Sequence, residues 1–344
     1  MEHCFISGEG IMCRPEPSEV EFDVLKAVDE SSTFLQQSRE SSLVSAAGLH
    51  VLKPEKWALQ AVRRQGVVQA TLDKIGSNAF VKRRPENIDS YSHYVARQYA
   101  SQQPIQFRVP VGPLKNMICC GDYQVPDIAE YLMFAQLARF ASAVAQLYPY
   151  GVKVQVVPDD VRARAANQCP DRYVRSYVSS MRLMIELLGL SGWLQAEDGQ
   201  TRLCDLYKVH HYQQQAEQSL RHWRHQDPEA FAERWQSAQD NARKNYPLPA
   251  GLEDHYRETA IADSAWRYML AHQCEILSGM WSTQDAFPMV YANHRNNYQL
   301  FSMGQKRTKL PWQLALPADM LVGHQPYLLR TLFAPVMMHA DSFS

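Results

Sequence analysis

Lys115 stands in the turn Val111-Gly112-Pro113-Leu114-Lys115-Asn116, directly after a strand-like run from Ile105 to Pro110. A lysine at a strand end can hold a phosphate or carboxylate, or attack a carbonyl as a free amine. By spacing alone it reads first as a plain surface lysine. Asp159 and Asp160 close the apolar run Val152 to Val157. On an extended chain these neighbours point to opposite faces, so one of them can face a pocket. Arg162 and Arg164 follow at alternate positions, suited to neutralising that carboxylate or binding an anion, although an exposed charged turn has the same composition. Far downstream, His294 lies between Asn293 and Arg295. Its imidazole can carry protons near neutral pH, or simply serve a turn. Lys306-Arg307-Thr308-Lys309 suits an anionic ligand or plain solvent. Trp312, between Pro311 and Gln313, is a pocket wall or a core aromatic.

Other chemistries lack their residues. The chain has no G-x-S-x-G elbow, no G-x-G-x-x-G fingerprint and no P-loop, which disfavours the usual serine hydrolases, dinucleotide enzymes and nucleotide hydrolases. His222 and His225 could share a helix face after His210-His211. There is no HExxH and no CxxC pair, so a solvated polar helix is expected there and no metal site. Cys119 and Cys120 are adjacent and read as inert small core residues.

The elements that would position these groups alternate. Ile105-Gln106-Phe107-Arg108-Val109 has the period of a half-buried strand. Pro126-Asp127 opens a helix, with Asp127 and Glu130 at capping-box spacing, and Met133, Leu137, Phe140, Val144 and Leu147 share one face. Tyr148-Pro149-Tyr150-Gly151 breaks it, and Val152, Val154, Val156 and Val157 make a strand ended by Pro158. A second helix begins near Asp171, carries Val174, Val178, Met181, Ile185 and Leu188 on one stripe, and stops at Gly189. Strand, helix, strand, helix predicts an α/β fold: a Rossmann-like core with a parallel sheet, plus an added helical segment. Ligands in such sheets sit beyond the carboxyl ends of the strands. Residues 209–245 are polar, glycine-free and predicted to form a surface-exposed helical segment, closed by Pro247-Leu248-Pro249. Glu253 to Met280 reads as a further helix. Pro288–Asn293 and Tyr298–Met303 read as a hairpin turning at Arg295-Asn296-Asn297.

At 344 residues, with 46% hydrophobic residues, the chain can bury a substantial core. Residues 1–50, broken by Arg14-Pro15-Glu16-Pro17, read as a partly ordered N-terminal arm. Residues 51–344 read as a single α/β catalytic domain with a polar helical insertion near 209–250. The formal net charge of −1 gives no overall attraction to nucleic acid or anionic membranes. No apolar run reaches a membrane span, no secretory signal is visible, and the seven unpaired-looking cysteines suit reduced thiols, so a cytoplasmic location is expected.

Taken in order, these segments resemble the isocyanide (isonitrile) synthases grouped with the pyoverdine and dityrosine biosynthesis proteins. The likeness runs from about Ile105 to Leu316. Val109-Pro110-Val111-Gly112-Pro113-Leu114-Lys115 is similar to the family's Pro-x-x-Pro-x-Lys turn, and Pro126 to Glu130 to its Pro-Asp helix start. Tyr148 to Gly151, an aspartate at the strand end, Val174 to Tyr177, Ala265-Trp266, Phe287-Pro288, a histidine-bearing strand and Pro311-Trp312 follow in the family's order. The resemblance implies an enzyme joining an amino acid's α-amine to the carbonyl of ribulose-5-phosphate, so that the nitrogen and one sugar carbon become an isonitrile. Lys115, Arg162, Arg164 and Lys306 then supply cations for phosphate and carboxylate. Asp159 or Asp160 and His294 move protons, and Trp312 and Gln313 line the substrate. Ribulose-5-phosphate is a co-substrate, no cofactor is implied, and a downstream iron-dependent oxygenase is the implied partner.

Three departures touch the pocket. Pro158-Asp159-Asp160 replaces the family's Ser-Asp-Gly, Val290 replaces an arginine four residues before the late histidine, and Gln313 replaces a histidine after Pro-Trp. They motivate an alternative on the same fold, an aminoacyl-tRNA-dependent cyclodipeptide synthase, with Lys82-Arg83-Arg84, Arg221, Arg224 and Arg234 meeting tRNA phosphates. A non-enzymatic binding protein is the third reading, favoured if no pocket unites Lys115, the aspartates and His294.

Overall fold

Within a computed structural model that describes residues 3–7, 10–14, 30–37, 43–44, 50–111, 126, 128–158, 166, 169–196, 206–245, 248, 251–279, 281–290 and 300–304, the chain opens with β1 (His3–Ser7) and β2 (Gly10–Arg14), α1 (30–37), β3 (Leu43–Val44) and β4 (His50–Val51). It continues through α2 (Lys56–Ile75), β5 (Val81–Arg83), α3 (Asp89–Ala100), β6 (Ile105–Val111), α4 (Ile128–Ala145), β7 (Val152–Pro158), α5 (Asp171–Leu187) and β8 (Leu194–Ala196). The last described elements are α6 (Leu206–Gln226), α7 (Pro228–Asn245), α8 (Asp254–Leu277), β9 (Phe287–Val290) and β10 (Phe301–Met303).

Among the described residues, six strands form one sheet in the order β5-β10-β9-β6-β7-β8. Five run parallel, and β5 pairs antiparallel with β10 at one edge. The fold is therefore the predicted α/β type, a Rossmann-like core of mostly parallel strands with an added helical segment. Gly151 makes the sharp entry into β7. It holds φ 93°, a region that favours glycine, while its carbonyl accepts from the Ile105 amide at 3.0 Å.

Register explains why one sheet face is so apolar. Phe107 lies beside Val154 and Phe287, Val154 beside Leu194, and Phe301 beside Met289. Strand alternation puts these on one side, where they join Tyr94, Phe140 and Met181 from α3, α4 and α5 in the main core. The predicted stripes of α4 and α5 are buried as spaced, and α4 is buried well beyond its stripe. From the arm, Leu35 of α1 joins the same core, the Ser32 and Tyr131 hydroxyls meet at 2.8 Å, and Arg139 donates to the Glu30 carbonyl at 2.7 Å.

Three expectations change. The alternation of Ile105 to Val109 predicts a half-buried strand, yet Arg108 is 1% exposed. Parallel sheets in α/β folds are covered on both faces, so the polar positions of β6 lie under cover as well. Gln155 accordingly turns to a neighbour, donating from Nε2 to Oε1 of Gln106 at 2.7 Å. The expected hairpin is absent: β9 and β10 are parallel neighbours, and parallel strands cannot be joined by a tight turn. The segment 209–245 is two helices with a buried side. Pro228 starts α7 where a missing amide costs nothing, and Asp227 accepts from the Ala230 amide at 3.1 Å. Leu220, Phe231 and Ala238 pack with Ala265 and Met269 of α8, flanked by Trp223, Trp235 and Trp266.

Candidate active site at the carboxyl edge of the sheet

Chain order fixes where a ligand can sit. From β6 the chain steps outward to β7 and β8, then returns to the other side of β6 as β9 and moves on to β10. Connections thus reverse direction between β6 and β9, and ligands in open α/β sheets occupy the crevice at such a point, beyond the carboxyl ends. There β10, β9, β6 and β7 end side by side, at Met303, Val290, Val111 and Pro158, with Val111 registered against Pro158. The helices α4 and α5 follow β6 and β7, so their N-termini point to this edge and contribute positive potential there.

All nine residues singled out from the sequence belong to segments leaving these four ends. Lys115 follows β6. Asp159, Asp160, Arg162 and Arg164 follow β7, His294 follows β9, and Lys306, Trp312 and Gln313 follow β10. The nine themselves, with Cys119 and Cys120, lie outside the described residues. Covalent geometry keeps Lys115 within about 14 Å of Val111 and Asp159 about 3.8 Å from Pro158, Cα to Cα.

Behind this edge the structure shows two buried polar contacts that sequence reasoning did not anticipate. Glu130, in the first turn of α4, is 6% exposed, and its Oε1 accepts from the Tyr177 hydroxyl of α5 at 2.7 Å. The spacing identifies Glu130 only as a capping carboxylate, whereas this bond ties together the two helices that follow β6 and β7. Replacing Tyr177 by Phe removes one donor from a buried carboxyl and is expected to lower stability by roughly 1–3 kcal/mol. Urea unfolding measures it, and a variant as stable as the parent contradicts the role given to this bond. The second contact runs from the Ser264 hydroxyl of α8 to the backbone carbonyl of Ala166 at 2.8 Å. Its one sequence signal is that Ser264 occupies a slot on the stripe Ile261, Ala265, Met269, where an apolar residue would be expected.

Among the described residues no group of three or more His, Cys, Asp or Glu side chains could hold a metal ion, and His222 and His225 are both exposed on α6. No helix among the described residues is long and apolar enough to cross a membrane. Two of the three basic residues at 82–84 are half-buried in β5, and Arg84 donates to the Gly76 carbonyl. Arg221 and Arg224 are exposed, whereas the half-buried Arg234 sits 5.8 Å from the Tyr268 ring centroid.

Cys169 and Cys274 are buried and reduced, and burial pushes each thiol up to about 11. At pH 8 roughly one molecule in a thousand then carries the thiolate at either site. Neither thiol should react with iodoacetamide at pH 8 until the protein is unfolded, and rapid native labelling at either would contradict their burial. Because folding raises these pKa values, their contribution to stability is complete below the unfolded value and fades as pH rises through about 11.

The sequence profile of the pyoverdine/dityrosine biosynthesis protein family matches residues 95–265. That stretch contains Lys115, the aspartates and both arginines, while His294, Lys306, Trp312 and Gln313 lie beyond it. No curated protein matches by sequence. Among solved structures, the crystal structure of the PvcA protein from Pseudomonas aeruginosa is similar, with a TM-score of 0.52 and 15% identity over 72% of this chain and 87% of that one. At that identity the likeness is one of fold.

Proposed function

This chain belongs to the pyoverdine/dityrosine biosynthesis protein family, and from that premise we propose that it converts the α-amine of an amino acid to an isonitrile with ribulose-5-phosphate. Family membership itself carries a biosynthetic role. One observation favours the finer reading: the ends of β10, β9, β6 and β7 adjoin, and every residue such a reaction calls for lies on a segment leaving one of them.

The chemistry has two demands. A phosphate and a carboxylate need cations, and Lys115, Arg162, Arg164 and Lys306 provide them. The amine must lose protons to attack the sugar carbonyl, the resulting imine forms with loss of water, and carbon–carbon cleavage follows. Asp159 or Asp160 and His294 are the groups able to shuttle those protons. Trp312 and Gln313 shape the amino-acid side of the pocket. An iron-dependent oxygenase is the class of enzyme that would consume the product.

The test is direct. The purified protein is incubated with ribulose-5-phosphate and the twenty amino acids, a tetrazine traps isonitriles, and mass spectrometry reads the adduct. An adduct names the amino acid at once. No adduct, with every amino acid unconsumed, refutes the proposal. Repeating the assay with charged tRNA then tests cyclodipeptide synthesis, the reading to which the Asp159-Asp160 and Gln313 departures point.

A further inference from the structure

α2 is folded over in its middle. Gly66 holds φ 80° and ψ 164°, a backbone region adopted in practice by glycine alone, and helical turns run on either side of it. On a straight helix Ala58 and Ala70 would stand about 18 Å apart, and Trp57 and Lys74 about 25 Å. Here both alanines join Leu147, beyond the end of α4, in one packed cluster, and Lys74 Nζ lies 4.5 Å from the Trp57 ring centroid. Gln65 Nε2 donates to Asp73 Oδ2 across the bend at 3.0 Å. The bend itself, at Arg63 to Gly66, is exposed.

Gly66 also stands where the chain divides. Among the described residues upstream of it, β1 pairs with β2 and β3 with β4, and neither pair belongs to the six-stranded sheet. The upstream part is joined to the body by a few local contacts instead. Leu35 and Leu52 enter the main core, the Ser32 hydroxyl meets that of Tyr131, and the Glu55 amide donates to Gln146 Oε1 at 2.8 Å. Each of these can be made unchanged to the body of a second copy.

We propose that Gly66 is a hinge through which two copies of this chain exchange the segments upstream of it. As the bend opens, the halves of α2 join into one helix about 30 Å long. Leu35, Leu52 and Ala58 of one copy then take up in the other the places they hold in their own. No new surface is required, which makes exchange a low-cost route to a dimer. In that dimer the start of α4, behind the carboxyl edge of the sheet, is supported by α1 of the other copy.

Gly66→Ala tests this in the full chain. A Cβ at this position meets nothing within 4 Å, so the substitution acts through the backbone alone. Alanine favours a continuous helix and opposes the positive φ, each of which shifts the hinge toward the open form. With two hinges in a dimer, the association constant should rise by about a hundredfold or more over the parent. Light scattering behind size-exclusion chromatography reads it, on refolded protein over a roughly thousandfold range of concentration. Gly251→Ala is the control: Gly251 has φ 82° and equally open surroundings but lies between α7 and α8, and this variant should match the parent. Cross-linking Lys56 to Lys74 in dimers refolded from mixed light- and heavy-isotope chains tells exchange from simple pairing. Exchanged dimers give links that join a light chain to a heavy one. Links confined to single chains overturn the proposal, as does a Gly66→Ala chain no more dimeric than the parent or the Gly251 variant. Should Gly66→Ala fail to refold, Gln65→Ala removes the hydrogen bond that spans the bend and should raise association severalfold. An unchanged constant there overturns the proposal too.

Discussion

Lys115→Ala is expected to abolish turnover, with a fall of at least about a hundredfold in rate, while leaving the fold intact. The position lies past the end of β6, the strand that adjoins the point where connections reverse direction. In the proposed reaction, losing a cation there leaves the substrate's anionic group without its partner, or removes the amine that meets the carbonyl. Among the described residues, the main core on either side of this position is made by Val111 of β6 and Tyr131 of α4, the last and first core members around the turn. Far-ultraviolet circular dichroism and unfolding midpoint should therefore match the parent. Lys115→Arg separates the two roles: it keeps the charge and removes the nucleophile. Recovery with arginine identifies an electrostatic role, loss with both identifies the amine, and near-normal activity of the alanine variant removes Lys115 from the site altogether.

Phe287→Ala should cost the most stability of any single change in the sheet, about 3–5 kcal/mol. Its ring centroid lies 4.6 Å from that of Tyr91, 5.1 Å from Phe107 and 5.1 Å from Phe301. Phe107 in turn meets Phe140 of α4 at 4.7 Å. One ring thus touches α3, β6 and β10, and its loss leaves a cavity where β9 meets β6. Substitution by leucine retains most of the volume and should cost far less. Urea denaturation decides the matter, and an alanine variant within about 1 kcal/mol of the parent would show that the cluster can collapse onto the gap. If His294 acts as proposed, activity should fall as well, since that residue follows β9 in the chain.

The sequence shows some of this fold plainly, and for physical reasons. The valines of β7 and the stripe from Val174 to Leu188 announce themselves because the contacts they serve repeat at the period of the backbone. Gly151 and Gly189, with φ 93° and 67°, mark ends that only a residue without a side chain adopts easily. Arg108 misleads because its cover comes from elsewhere in the chain, and no local pattern reports that. Arg295-Asn296-Asn297 has the composition of a turn, but composition does not record the direction of β10 relative to β9. The break at Asp227-Pro228 has its own signal, an N-cap followed by proline, but it stands within a run of good helix formers that conceals it.

The candidate site divides in the same way. Strand ends can be read from where apolar runs stop, so the segments that carry Lys115, Asp159 and His294 could be named in advance. The supporting contacts could not. Tyr177 to Glu130 and Ser264 to Ala166 each join residues far apart in sequence, and single side chains leave no periodic trace.

The antiparallel edge of the sheet has a consequence in time. Val81–Arg83 leaves the ribosome long before its partner in the sheet, Phe301–Met303, near the far end of the described chain. β6 likewise waits for β9, which emerges only after all three added helices. Closing such distant pairs requires most of the chain to be ordered first, a topology that folds slowly. During synthesis β5 and one side of β6 are bare of their partners, and a ribosome stalled before Phe301 would release a chain in which the sheet is unfinished and open to strands of other molecules.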